Sequence, residues 1–85
     1  MTINDLASEL MDNKTIEFYL IDNKYSIMIN PDYDKEYNNL LLVTKLIGSG
    51  FHKYEEINYS YDMGLNLYSN IINSLTYWIR KELNI

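Results

Sequence analysis

The sequence predicts an α+β domain in which an antiparallel sheet of three or four strands carries a short N-terminal helix and a long C-terminal helix packed on one face. Three observations lead there. Large apolar residues recur at steps of three and four from Leu65 to Leu83, the spacing of one helix face. From Thr15 to Ile29 the period is two, the spacing of a half-buried strand. Short polar or glycine-containing breaks separate the apolar runs, which suits hairpins better than crossovers.

The elements follow in chain order. Thr2 to Met11 reads as a helix: Thr2 is placed to cap it, Asp5 stands three residues on as in a capping box, and Ile3, Leu6, Ala7 and Leu10 share a face. Asp12-Asn13-Lys14 ends it, with Asn13 the residue suited to a left-handed conformation. Thr15 to Ile21 sets Ile16, Phe18 and Leu20 against Glu17 and Tyr19. After a polar turn at Asp22-Asn23-Lys24, Tyr25, Ile27 and Ile29 form one face of a second strand. Asn30-Pro31 stops that strand, because proline offers no ladder donor. Asp32 to Asn39 is a polar loop, and Leu40 to Ile47 offers apolar residues to both faces, as a well-covered strand does. Gly48-Ser49-Gly50 is a turn. Phe51 to Tyr61 is compatible with a fourth strand, a loop or an early helical turn, and a short strand over Phe51 to Glu55 is favoured. Asp62 is the expected cap of the last helix, which at 1.5 Å per residue extends about 28 Å. On that helix Tyr68, Ile71, Ile72, Leu75, Trp78, Ile79 and Leu83 face the sheet, and Asn66, Ser69, Asn70, Asn73, Thr76 and Arg80 fall mostly opposite.

Eighty-five residues suffice for one domain spanning 1–85. Seven basic against twelve acidic residues give a net charge of -5, which disfavours direct binding of nucleic acid or an anionic membrane and favours a basic protein surface. The absence of cysteine rules out disulfides and thiolate metal sites. The first residues lack the basic and then apolar pattern of a signal peptide, and no run reaches the roughly 20 apolar residues of a membrane span, so a cytoplasmic location is expected.

No catalytic constellation is visible. Asp32-Tyr33-Asp34-Lys35-Glu36 begins like a calcium loop, but the glycine position of that pattern falls on Tyr37 and the bidentate glutamate position on Val43. His52, the only histidine, has no second ligand or nucleophile at recognisable spacing. Gly48-Ser49-Gly50 lacks the lysine that closes a phosphate loop. Neither metal, cofactor nor enzymatic activity is therefore expected. What stands out is acid interleaved with tyrosine: Asp32, Tyr33, Asp34, Glu36 and Tyr37 in one stretch, Tyr54, Glu55, Glu56, Tyr59, Tyr61 and Asp62 in another. A solvated acidic surface is the plain reading. The functional reading is a partner-binding face that offers carboxylates and aromatic contacts to a groove rich in lysine and arginine. In an extended segment Asp32, Asp34 and Glu36 would stand about 7 Å apart on one side, a row able to stand in for phosphates.

Met1-x-Ile3-Asn4-Asp5-Leu6, a following glutamate, the Asn13-Lys14 boundary before a strand and the ending Glu82-Leu83-Asn84 resemble the small acidic phage-encoded anti-CRISPR proteins that inhibit the type II-A RNA-guided nuclease. Tyr54-Glu55-Glu56 through Tyr61-Asp62-Met63 is similar to the denser acidic stretch of those inhibitors. The resemblance implies a protein that occupies the nuclease's site for the short motif beside its DNA target. Carboxylates would there engage arginines that otherwise read base edges. On matching positions it assigns contact roles to Glu55, Glu56 and Asp62. The rival expectation is a homo-oligomeric or partner-binding regulatory module such as an antitoxin or phage regulator. It draws on Tyr19, Ile21, Met28, Leu41 and Val43, which the pattern turns away from the long helix, and it makes a homodimer a natural state.

Overall fold

A computed structural model describes residues 2–34, 39–47, 51–57, 59 and 61–85, with the backbone alone for 51–56. The element order is α1 (Ile3–Asn13), β1 (Thr15–Leu20), β2 (Asn23–Ile29), β3 (Leu41–Ile47), β4 (Phe51–Glu56) and α2 (Leu67–Leu83). All neighbouring strands are antiparallel and lie in the order β1-β2-β3-β4, so the sheet is a four-stranded meander with β1 and β4 at its edges.

Helix α1 starts where its capping chemistry places it. The Asp5 amide donates to Thr2 Oγ1 at 3.1 Å, and the Thr2 amide donates back to Asp5 Oδ2 at 3.0 Å. That backbone hydrogen bond, helped by the Thr2 hydroxyl, holds the Asp5 carboxyl below the usual aspartate range. The helix runs two residues further than its periodicity implies. The left-handed residue is Lys14 (φ 67°), not Asn13, with its amide bonded to the Leu10 carbonyl and its Nζ to the Met11 carbonyl.

Strand periodicity sorts the two faces of the sheet. Ile16, Tyr25, Ile27, Ile29, Leu41 and Val43 are buried on the helix side, where the register sets Ile27 against both Ile16 and Val43. Leu41 and Val43 therefore point into the core, contrary to the outward placement expected for them. A run that is apolar at every position gives no phase of its own, and the register with Ile27 and Ile29 supplies it. Tyr19, Ile21 and Met28 are exposed as expected. The hairpin turn is Ile21-Asp22, one residue earlier than the polar residues suggested, and Leu20 pairs Asn23 across it. Ile21 takes φ 59°, while Asp22 stays at negative φ, the pattern of a type II′ turn.

Helix α2 lies over this face. Trp78 packs edge-on against Tyr25, with ring centroids 4.9 Å apart, and against Phe18 at 5.9 Å, while Ile71 and Leu75 complete a core shared with Leu6, Ala7 and Leu10 of α1. The Tyr25 hydroxyl donates to Glu82 Oε2 at 3.3 Å and ties the last turn of α2 to the sheet. Leu83, expected in the apolar face, is exposed.

A β-branched residue in the left-handed region is strained by roughly 1 kcal/mol or more, and the Ile21 side chain, 68% exposed, makes little packing to offset it. Replacing Ile21 with glycine is expected to raise stability by about 1 kcal/mol. Urea unfolding of the two proteins measures this, and a destabilised glycine variant would count against the turn as described.

Candidate functional site

Each acid–tyrosine stretch is placed by local hydrogen bonding. After Asn30 the chain turns at once: Asn30 Oδ1 accepts from the Asp32 amide at 3.0 Å, the Asn30 carbonyl accepts from the Tyr33 amide at 3.1 Å, and Asn30 Nδ2 reaches the Asn39 carbonyl at 3.0 Å. Asp32 and Asp34 thus sit exposed in a turn over residues 31–34 and not in an extended row, because a proline after an asparagine that bonds forward bends the chain. Glu36 and Tyr37 lie outside the described residues. Tyr54 and Glu55 are in β4 as the favoured reading had it, and the strand runs one residue further to Glu56; the three pair in register with Thr44, Val43 and Leu42. Their side chains also fall outside the description.

Asp62 is organised by a residue that periodicity had put on the solvent side. Asn70 is fully buried on α2 and makes four hydrogen bonds. Its Oδ1 accepts from the Asp62 amide at 2.7 Å, and its Nδ2 donates to the carbonyls of Asp62 at 2.9 Å, Leu65 at 3.3 Å and Asn66 at 2.9 Å. A buried amide with donors and acceptor all used is a clamp that folds 62–66 back onto the helix. Asp62 is therefore not the helix cap. Asn66 caps α2 by accepting from the Ser69 amide at 2.8 Å, and Asp62 Oδ1 accepts from the Gly64 amide at 2.8 Å within the preceding turn. Asn-x-x-Ser at 66–69 was the available cap signal, masked by the acid four residues earlier.

The tyrosines join the two stretches. Tyr33 meets Tyr61 edge-to-face with centroids 5.0 Å apart, and Tyr59 packs on Tyr77 of α2 at 5.5 Å. Tyr33, Tyr59 and Tyr61 are each half-buried against the core, so their rings anchor the chain. Asp32, Asp34 and Asp62, all exposed, accordingly belong to one end of the molecule, where β2 stops and α2 begins. Asp12 precedes β1 at that end, and Lys14 is the described cation there. Lys24, Lys45, Arg80 and Lys81 stand toward the other end. The acidic end is also the positive end of the α2 dipole, which favours carboxylates nearby.

Beside it a cleft of ≈ 580 Å³ is lined by Lys14, Thr15, Met28, Ile29, Pro31 and Leu67, among others. Its amide at Asn30 and its Lys14 ammonium already serve backbone carbonyls, so the cleft offers apolar area with little directed polarity. Among the described residues no group of three or more histidine or acidic side chains is arranged to hold a metal ion, and no helix is long and apolar enough to cross a membrane.

Truncating Asn70 to alanine is expected to cost about 2 to 3 kcal/mol, because the Asp62 amide and the Leu65 carbonyl lose their partner while the Asp62 and Asn66 carbonyls keep only a backbone donor, and to speed amide exchange over 62–66. Denaturant titration and hydrogen exchange report the two effects separately, and unchanged exchange there would refute the clamp. A double-mutant cycle on Tyr33 and Tyr61 to alanine should give a coupling of about 0.5 to 1.5 kcal/mol, whereas additivity would show the stretches to be independent. Comparison of the chain with protein-family models, with curated proteins and with solved structures finds no match.

Proposed function

We propose that this protein is an anti-CRISPR inhibitor that acts in the bacterial host cytoplasm, binds a type II CRISPR effector nuclease through an acidic, DNA-mimicking surface, and blocks target DNA recognition without catalysis. The observation that carries this reading is the Tyr33–Tyr61 contact, which links the turn holding Asp32 and Asp34 to the segment holding Asp62 at the start of α2. Carboxylates held on a rigid aromatic base lose little freedom on meeting arginines, so their electrostatic attraction is not spent on ordering loops. The resemblance of the two termini to type II-A inhibitors supplies the nuclease as partner, and the net charge of -5 agrees with a basic DNA cleft.

A second reading, a partner-binding regulatory module, draws on the sheet face opposite the helices, where Tyr19 and Met28 are exposed beside half-buried Leu42 and Leu46. Salt separates the two: an acidic mimic loses affinity steeply as ionic strength rises, whereas an apolar face does not.

The deciding experiment is DNA cleavage by a purified type II-A effector loaded with guide RNA, with this protein added before or after the target DNA. Inhibition only on prior addition, reduced at least tenfold by joint alanine substitution of Asp32, Asp34, Glu55, Glu56 and Asp62, is the expected result. Inhibition indifferent to order and to those acids would remove mimicry, and no inhibition across several effectors would leave the regulatory module as the better account.

A further inference from the structure

Strand β1 is an edge of the sheet, with no strand beyond it among the described residues. Leu20 pairs Asn23 across the two-residue turn, and the Ile29 amide donates to the Lys14 carbonyl at 3.0 Å, so the even-numbered residues of β1 bond to β2. The backbone N–H and C=O groups of Thr15, Glu17 and Tyr19 therefore point away from the sheet, and these three residues are exposed. Natural edges are usually blunted by lysine, proline or a bulge. The six residues Thr-Ile-Glu-Phe-Tyr-Leu contain no lysine, proline or glycine, and the register with β2 is unbroken. At the opposite edge, Phe-His-Lys-Tyr-Glu-Glu carries one lysine and two glutamates. Along β1, Phe18 and Leu20 are only half-buried, Tyr19 is 71% exposed, and Ile21 projects beyond them.

We infer that the occupant is a second copy of this chain, its β1 lying antiparallel to the first about a two-fold axis, which makes one eight-stranded sheet. Side-chain identity selects the register. Pairing Glu17 with Glu17 sets like charges face to face, which is unfavourable. Moving the axis one residue, to Phe18, pairs Glu17 with Tyr19 in hydrogen-bonded positions, Ile16 with Leu20, and Phe18 with its own copy at the centre. From Ile16 to Leu20 every pair is then apolar with apolar or acid with phenol, and Thr15 falls opposite Ile21 of the turn. The net charge of -5 does not oppose this contact, because the one acid of the strand, Glu17, lies 3.8 Å from Lys24. The contact area is that of a single strand pair, so the dimer is weak and concentration-dependent.

Because the chain has no cysteine, covalent trapping can test the register directly. Hydrogen-bonded antiparallel partners have Cα atoms about 5.5 Å apart, within disulfide range, whereas 17 to 17 and 19 to 19 become diagonal neighbours at roughly 7 to 8 Å, outside it. Oxidising a mixture of the Glu17→Cys and Tyr19→Cys proteins is expected to give a covalent heterodimer in at least fivefold excess over either homodimer. Sedimentation equilibrium of the unmodified protein should shift from one chain mass toward two as concentration rises. Glu17→Pro, which removes an outward N–H and no ladder bond, should weaken that association at least tenfold with the circular dichroism spectrum unchanged. A monomer up to millimolar concentration, homodimers trapped as readily as the heterodimer, or a folded proline variant that still dimerises would each overturn the proposal. Should the proline variant fail to fold, the cysteine mixture decides alone.

Discussion

Everything in this domain depends on Trp78 being held between the sheet and the long helix. A helix of 17 residues with a one-sided apolar face gains little by itself. Its position is set where the indole stands nearly perpendicular to the rings of Tyr25 and Phe18 from two adjacent strands. Tyr25 serves twice, because its ring supports Trp78 while its hydroxyl reaches Glu82 one turn further along the helix. These contacts fix the C-terminal half of α2 over the hairpin. They thereby direct its N-terminal half toward the end of β2, where Leu67, Met28 and Ile29 all line the cleft. The acidic end is assembled as a consequence, since Asp62 hangs from Asn70 and Asn70 goes where α2 goes. The fit is not free of cost: Ser74 Oγ and the Trp78 indole N–H are buried on α2 without a partner among the described residues.

Much of this was legible in the sequence because two periods dominate it. Alternation through Ile16, Phe18 and Leu20, then Tyr25, Ile27 and Ile29, phases the hairpin, and steps of three and four phase α2. Thr2 and Asp5 announce α1 through a pattern in which both partners are visible. What was not legible depended on the third dimension. Asn70 looks solvent-facing by composition, and only the return of 62–66 over it turns a polar residue into a buried clamp. Leu40 to Leu42 is apolar throughout, so which of its side chains face the core is decided by pairing with β2. Ile21 is the last residue any propensity would choose for a left-handed turn position, and it stands there because the register of Phe18 with Tyr25 leaves only two residues to close the hairpin.

The tyrosines answer to both scales. With nine in 85 residues they are too many for one purpose. Tyr25 is core and Tyr19 is surface, while Tyr33, Tyr59 and Tyr61 sit between, half-buried against the core. That middle group makes an acidic patch out of what would otherwise be two solvated loops. In the proposed complex a carboxylate beside an anchored ring would meet a partner's arginine already placed, and the ring face would itself be a surface on which a guanidinium can stack.

The two proposed surfaces are compatible because the fold separates them along the sheet. Thr15 and Ile29 mark the acidic end, and Ile21 and Asn23 the other, one strand length away. A two-fold axis at Phe18 directs the acidic ends of the two copies in opposite directions. Six residues of strand extend about 20 Å, so each acidic end lies about 10 Å or more from the axis and the two are separated by at least twice a Debye length at physiological salt. Pairing through β1 would thus join two strongly acidic molecules along their neutral edge while both charged ends stay open, so a dimer would present two binding surfaces for basic clefts instead of hiding one.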